Sequence, residues 1–171
     1  MVAVDFSVYS VKLVKYARGI AEDLKANLVF VNVINKRDIH AIRQAFGYHS
    51  KSLSVDDYIS KLKHERAEKM QKLIEKTSCT NITHRVIIRT GIPFMELINA
   101  AEEAHVDIVI MGAKGRSDLA GILFSSTAEK MFRRCPVPLL SVRERDHQTG
   151  GATLFRPLYL FGTDYLKNTA E

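Results

Sequence analysis

Glycine and hydroxyl residues suited to binding phosphate form two groups in the second half of the chain. Gly112-Ala113-Lys114-Gly115 directly follows an apolar run, and Ser125-Ser126-Thr127 comes after nine further residues. Glycines let main-chain amides approach an anion closely. Hydroxyls and free amides at a helix start form an anion site. We therefore expect a phosphate site between Gly112 and Ser126.

A plainer interpretation of the same residues stays open. The two glycines could simply turn the chain, and Ser125 could simply cap a helix. The spacing is not that of a Walker loop, which needs a lysine and a hydroxyl residue directly after its second glycine. The stretch does not match the G-x-G-x-x-G fingerprint of dinucleotide-binding folds either. That fingerprint follows the first strand, whereas this stretch follows the fourth of the strands predicted below.

Positive charge is concentrated around the same stretch. The formal net charge is +6, and the range from Met111 to Arg145 holds seven basic and three acidic residues. Such an excess either attracts an anion or forms a solvated basic face. No aromatic residues are interleaved with the basic ones, so we expect no nucleic-acid partner.

Five apolar runs alternate with segments of helical periodicity and predict strands. They are Val2–Val4, Leu28–Ile34, Val86-Ile87-Ile88 enclosed by Arg85 and Arg89, Val106–Met111 and Val137–Val142. This alternation predicts parallel strands joined by right-handed crossovers, and so an open, doubly wound α/β sheet of five strands. Ligands bind beyond the carboxyl ends of such strands, where Asp5, Asn32–Asn35 and Gly112 fall. Pro136 and Pro138 favour an edge position for the last strand.

Three other segments carry separate expectations. Ser7 is predicted to cap the first helix. Asn35–Ser54 is polar and is predicted to be irregular, either as a lid over the ligand or as an exposed connector. Residues 146–171 contain Gly150-Gly151 and the apolar run Leu154–Phe161. We expect one domain over 1–145 and a C-terminal extension over 146–171 that packs on its own core or on a dimer partner.

Composition narrows the class of protein. The 171 residues suit one domain, and no apolar run reaches the roughly 20 residues of a membrane span. No secretory signal is evident, and two distant cysteines, Cys79 and Cys135, indicate neither a disulfide framework nor a metal cluster. We expect a cytoplasmic protein with no membrane partner. None of the six histidines pairs with a nucleophile, so no catalytic residue is predicted.

Three motifs resemble those of the universal stress protein family. They are Val2-Ala3-Val4-Asp5-Phe6-Ser7, Thr90-Gly91-Ile92-Pro93, and Val106 to Arg116 with its sequence VDIVIMGAKGR. The resemblance covers about Val2 to Arg143. It implies a Rossmann-like sheet of the adenine nucleotide alpha hydrolase-like type with strand order 3-2-1-4-5. It also implies frequent homodimers and ATP binding where the pattern G-x2-G-x9-G-[ST] is complete.

The resemblance assigns a role to each matching residue. Asp5 would contact the adenine, with main chain of Val33 or Ile34 nearby, and Gly112 would lie against the ribose. Gly115, Ser125 and Ser126 would hold the phosphates. The whole implied nucleotide site comprises Asp5, Val33, Ile34, Gly112, Lys114, Gly115, Arg116, Ser125, Ser126 and Thr127. Mg²⁺ or Mn²⁺ would bind to the phosphates, and the protein would supply no metal ligand.

The third glycine of the family pattern is Ser125 in this chain. A serine weakens the site if that position needs positive φ, whereas it fits well at the start of a helix. The leading expectation is an ATP-binding regulatory protein of the stress response that dimerises through the edge strand Val137–Val142. The alternatives are a nucleotide-free dimeric scaffold and a slow nucleotide hydrolase.

Overall fold

The strands and helices follow the predicted alternation. The computed structural model describes residues 1–46, 55–113, 125–143 and 160–161. The strands are β1 Val2–Ala3, β2 Leu28–Asn35, β3 His84–Gly91, β4 Val109–Gly112, β5 Leu139–Val142 and β6 Leu160–Phe161. The helices are α1 Ser10–Leu24, α2 Lys36–Phe46, α3 Val55–Lys76, α4 Pro93–Glu103 and α5 Ser126–Arg134.

The sheet has the order β3-β2-β1-β4-β5-β6, and its first five strands are parallel. This confirms the predicted order 3-2-1-4-5. The sixth strand was not predicted: β6 runs antiparallel to β5, with Leu139 opposite Phe161 and Leu140 opposite Leu160. The predicted edge position of Val137–Val142 is therefore wrong, because the chain's own C-terminal extension pairs with that strand.

Alternate residues of β2 enter two separate cores, which is why the strand is apolar throughout. Val29, Val31 and Val33 face α4 and α5 in one core. Leu28 and Phe30 face α1 and α3 in the other. Helices thus cover both faces of the sheet, and folds of this class bind their ligands beyond the carboxyl ends of the strands.

Two local predictions on the helices are wrong. The start of the segment from Asn35 to Ser54 is the helix α2, which buries Ile39 against the sheet. The first helix begins at Ser10, and Ser7 does not cap it. Instead, Ser7 lies in a preceding turn, where its carbonyl oxygen accepts from the Ser10 amide at 3.1 Å. Among the described helices, none combines the length and hydropathy needed to cross a membrane.

Candidate functional site

The carboxyl ends of three adjacent strands bring most of the predicted site residues to one edge. β1 lies between β2 and β4, so Asp5 follows the central strand of the three. Val33 and Ile34 lie near the end of β2, and Gly112 ends β4. Ser125–Thr127 lie at the start of α5. Lys114, Gly115 and Arg116 lie outside the described residues.

The Asp5 carboxylate organises the turn that leads from β1 into α1. Its Oδ1 atom accepts from the Ser7 amide at 2.9 Å and from the Ser10 hydroxyl at 3.1 Å. The other carboxylate oxygen, Oδ2, takes part in neither bond. Asp5 therefore supports the local fold with one oxygen and can offer the second to a ligand.

Phe6, within the same turn, adopts a backbone conformation that aromatic residues rarely take. Its φ is 60°, in the left-handed region, which costs about 1 kcal/mol for a residue with a Cβ atom. The Arg66 guanidinium lies over the Phe6 ring at 5.5 Å from its centroid. Strain of this kind persists where the surrounding contacts hold the chain in place, and it concentrates at functional sites.

The end of β2 offers main chain rather than side chains. Val33 and Ile34 are both buried. The Val4 amide donates to the Val31 carbonyl at 2.9 Å, so the polar main-chain groups of Val31 face β1. Alternation along the strand directs those of Val33 to the same side, just beyond the end of β1, and those of Ile34 towards β3. Of the two candidates for main-chain recognition, the geometry favours Val33.

Asn32 lies beside these residues, and from the sequence it was named only as the start of the range Asn32–Asn35. It is 1% exposed, and its side-chain amide donates to the Val4 carbonyl at 2.7 Å. Its Oδ1 atom is buried and has no hydrogen-bond partner among the described residues. The signal was present in the sequence, because Asn32 interrupts an otherwise apolar strand.

A short chain of hydrogen bonds connects β5, β4 and α5. The Ala113 amide donates to the Val142 carbonyl, and the Ser125 amide donates to the Ala113 carbonyl, each at 3.0 Å. Ser125 is the N-cap of α5 with φ −68° and ψ 154°, and its Oγ accepts from the Ala128 amide at 3.2 Å. Position 125 is thus an ordinary helix cap in extended conformation, where serine is favoured and glycine is not required.

The first turn of α5 retains amides that can bind an anion. Its first intrahelical bond runs from the Glu129 amide to the Ser125 carbonyl, so the amides of Ser126 and Thr127 precede it. The positive end of the helix dipole adds to their attraction for negative charge. The Glu129 carboxylate, also in this turn, pairs with Arg133 at 3.2 Å.

A separate cleft of about 410 Å³ lies at the end of β3. Its walls include Lys36 and His40 of α2, Ile59 of α3, and Ile92 and Glu96 at the start of α4. None of the predicted site residues lines it, and β2 separates it from Asp5 in the sheet order. Within the described part of the chain, no group of three His, Cys, Asp or Glu side chains is placed to hold a metal ion.

The sequence is similar to those of several curated proteins. It is 27% identical over 150 residues to universal stress protein MJ0577 of Methanocaldococcus jannaschii, covering 83% of this chain and 92% of that protein. It is 24% identical over 143 residues to universal stress protein YxiE of Bacillus subtilis, covering 84% and 97%. A solved structure of MJ0577 superimposes with a TM-score of 0.69, covering 84% of this chain and 94% of that one.

Two further structures share the fold and contain a small adenine nucleotide. One is a universal stress protein in complex with cAMP, with 21% identity and a TM-score of 0.55, covering 83% and 93% of the two chains. The other is the Archaeoglobus fulgidus universal stress protein in complex with dAMP, with 15% identity and a TM-score of 0.53, covering 82% and 93%.

The family assignment rests on most of the chain. Residues 1–143 match the family described as the Universal stress protein family, a range that spans β1 to β5 and the helices α1 to α5. The chain belongs to the universal stress protein family.

Proposed function

We propose that this protein binds ATP, or a related adenine nucleotide, at the carboxyl edge of β1, β2 and β4, and that it acts as a regulatory sensor of the stress response. The observation that carries the proposal is the hydrogen bond from the Ser125 amide to the Ala113 carbonyl at 3.0 Å. It holds the open amides of α5 beside the end of β4, where this class of fold binds its ligands.

We assign the adenine end of the ligand to Asp5 and Val33. An adenine ring presents one amino donor and several nitrogen acceptors. The Oδ2 atom of Asp5 is suited to accept from the amino group. The Val33 main chain, directed past the end of β1, is suited to pair with the ring edge. We assign Gly112, which ends β4, to contact with the ribose.

The phosphate end belongs at the start of α5. The amides and hydroxyls of Ser126 and Thr127 supply donors, and Ser125 can donate its hydroxyl hydrogen while its oxygen caps the helix. We assign Lys114, Gly115 and Arg116 to the same phosphates from the sequence pattern. Mg²⁺ or Mn²⁺ would bind to the phosphate oxygens rather than to protein side chains.

The relatives support an adenine nucleotide as the ligand class. The two complexes with cAMP and dAMP show proteins of this fold holding an adenine base with a phosphate. We extend this ligand class, though not those particular ligands, to the present chain. A reducing, cytoplasmic environment belongs to the same proposal, because Cys79 and Cys135 are both free thiols.

A proline substitution tests the phosphate site without removing the helix. Ser126 is the first residue of α5, where proline is well tolerated, and the extended backbone of Ser125 suits a following proline. Ser126→Pro therefore removes one amide donor and one hydroxyl and keeps α5. Calorimetric titration with Mg-ATP should show a dissociation constant raised about tenfold, which is about 1.4 kcal/mol.

Ser126→Ala is the matched control, because it removes the hydroxyl and keeps the amide. We expect it to weaken binding less than Ser126→Pro does. If the unchanged protein binds no ATP at millimolar concentration, the nucleotide proposal is wrong and the nucleotide-free scaffold is the better description. If both variants bind as the unchanged protein does, α5 is not the phosphate site.

A further inference from the structure

Ser10 is a buried polar residue whose hydroxyl is directed at the proposed adenine site. It is the first residue of α1 and is 3% exposed. Its hydroxyl donates to Oδ1 of Asp5 at 3.1 Å, and the Ser7 amide donates to the same oxygen at 2.9 Å. Burying a hydroxyl is unfavourable unless it forms a hydrogen bond, and here its partner is the carboxylate of Asp5.

Two donors on one carboxylate oxygen fix the orientation of the whole group. A single bond from the Ser7 amide leaves the carboxylate free to rotate about its terminal torsion, because that torsion is soft in aspartate. The second bond, from a side chain on α1, restrains the rotation. The oxygen that takes part in neither bond, Oδ2, then has one preferred direction.

We propose that Ser10 is a positioning residue for recognition of the base: it holds Asp5 so that Oδ2 accepts from the 6-amino group of a purine. The inference rests on the proposed function and deepens it, because it concerns how the same site selects 6-aminopurines over 6-oxopurines. Ser10 does not touch the ligand and acts through Asp5.

The backbone of the turn supports this role. Phe6 lies between Asp5 and Ser7 with its φ at 60°, so the turn is held in a conformation that costs free energy. The hydrogen bonds to Asp5 Oδ1 close this turn on one side. The Arg66 guanidinium packs over the Phe6 ring on another. A turn restrained in this way presents a carboxylate with little freedom, which lowers the entropic cost of binding.

The test compares ATP with inosine triphosphate, which carries an oxygen in place of the 6-amino group. Dissociation constants for both nucleotides are measured by calorimetry on the full chain. The unchanged protein should prefer ATP. Ser10→Ala should lower the preference for ATP over inosine triphosphate about fivefold, and Ser10→Thr, which keeps the hydroxyl, should restore it. The ratio is informative because a loss of folded protein affects both nucleotides equally.

A matched control removes a buried hydroxyl elsewhere. Thr77 is 1% exposed, and its hydroxyl donates to the Leu73 carbonyl at 2.7 Å near the end of α3. Thr77→Val should reduce stability and leave the nucleotide preference unchanged. If Ser10→Ala keeps the full preference for ATP, the positioning role is overturned while ATP binding stands.

Two other outcomes distinguish failure of the Ser10 inference from failure of the proposed function. If the unchanged protein binds ATP and inosine triphosphate equally well, Asp5 does not recognise the 6-amino group, and the inference is wrong although nucleotide binding is right. If the unchanged protein binds neither nucleotide, the proposed function fails and the inference falls with it.

Discussion

The side-chain amide of Asn32 donates to the Val4 carbonyl at 2.7 Å, at the position where the next rung of the β1–β2 ladder would form. In a parallel pair that continues past Val31, the Val33 amide would be the donor to that carbonyl. The side chain of Asn32 thus takes the place of the Val33 amide as the donor to the Val4 carbonyl. This leaves the Val33 amide available at the edge where we propose that the adenine base binds.

Asn32→Val should therefore move stability and binding in opposite directions. Valine suits a buried strand and removes the Asn32 Oδ1 atom, which has no partner in the described part of the chain. We therefore expect the free energy of unfolding to stay equal or rise by up to about 1 kcal/mol. The Val33 amide becomes able to donate to Val4, so ATP affinity should fall severalfold. Urea unfolding and ATP titration on the same preparation test this. A loss of stability with unchanged affinity would contradict it.

Asp5→Asn separates the structural role of Asp5 from its role in binding. Its amide oxygen can still accept from the Ser7 amide and the Ser10 hydroxyl, so the midpoint of thermal unfolding should change little. The amide nitrogen that replaces Oδ2 is a donor and cannot accept from an adenine amino group. We expect ATP to bind about tenfold more weakly. Equal affinity in the variant would show that Oδ2 does not contact the base.

Substitutions at Ser125 test whether this position needs a glycine. Ser125→Ala removes the cap on the Ala128 amide and should cost about 1 kcal/mol of stability, whereas Ser125→Gly should cost about 0.3 kcal/mol. Neither change removes the amides of Ser126 and Thr127. Ser125→Gly keeps these amides and loses one proposed hydroxyl donor, so its ATP affinity should fall by no more than about tenfold. Chemical denaturation and ATP titration give both numbers, and a tenfold gain in affinity for the glycine variant would count against the cap geometry.

The C-terminal extension should control self-association. Pairing of Leu160–Phe161 with Leu139–Leu140 covers part of the outer edge of β5. Ending the chain after Arg145 exposes that edge, and exposed strand edges pair with other chains. Light scattering after size exclusion should show a higher mean mass for the truncated chain than for the full chain at equal concentration. Leu160→Pro should expose the same edge of β5 by disrupting β6. An unchanged mean mass in both the truncated chain and Leu160→Pro would contradict the prediction.

Cys135 should be a protected thiol. Burial raises its pKa above the ordinary value of 9.0 and outweighs the opposing effects of the Val137 main chain and the terminal amino group. Because the thiolate is the reactive form, alkylation of the native protein at pH 8 should be slow and should accelerate in denaturant. Rapid labelling of native Cys135 would contradict the burial.

The same shift has a consequence for stability at high pH. The folded state holds the Cys135 proton at a pH where the unfolded state has lost it. The contribution is therefore complete below pH 9 and is lost as the pH rises through the raised pKa. Cys135→Ala should show a shallower fall in stability above pH 9 than the unchanged protein.

Sequence periodicity predicted the sheet well, because strands buried on both faces are apolar throughout and need no knowledge of their neighbours. The ends of individual strands and helices were harder to predict than their order. The fourth strand was predicted from Val106 but begins at Val109, since His105 turns the chain with φ 47° and the Val106 amide closes α4 by donating to Ala101. Helix α2 was not predicted because its segment is mostly polar. The helix is stabilised by the packing of Ile39 against the sheet, a tertiary contact that the local sequence does not reveal.

Some residues of the proposed site could also be predicted from the sequence, whereas the roles of others could not. Residues at or just after the carboxyl ends of strands, such as Gly112 and Asp5, could be found from the order of elements. The roles of Ser10 and Asn32 could not, because each depends on a hydrogen bond to a residue on another element. The conformation at Ser125 also needed coordinates, since serine is compatible with both interpretations until its φ is known.

The bond between Ala113 and Ser125 has a use in engineering. It holds Ala113 and Ser125, the residues on either side of 114–124, within one hydrogen bond of each other. A reporter domain with adjacent termini, such as a circularly permuted fluorescent protein, could be inserted there at small entropic cost. An insertion after Arg116 would keep Lys114, Gly115 and Arg116, which we assign to the phosphates, and its fluorescence would then test whether the protein binds ATP.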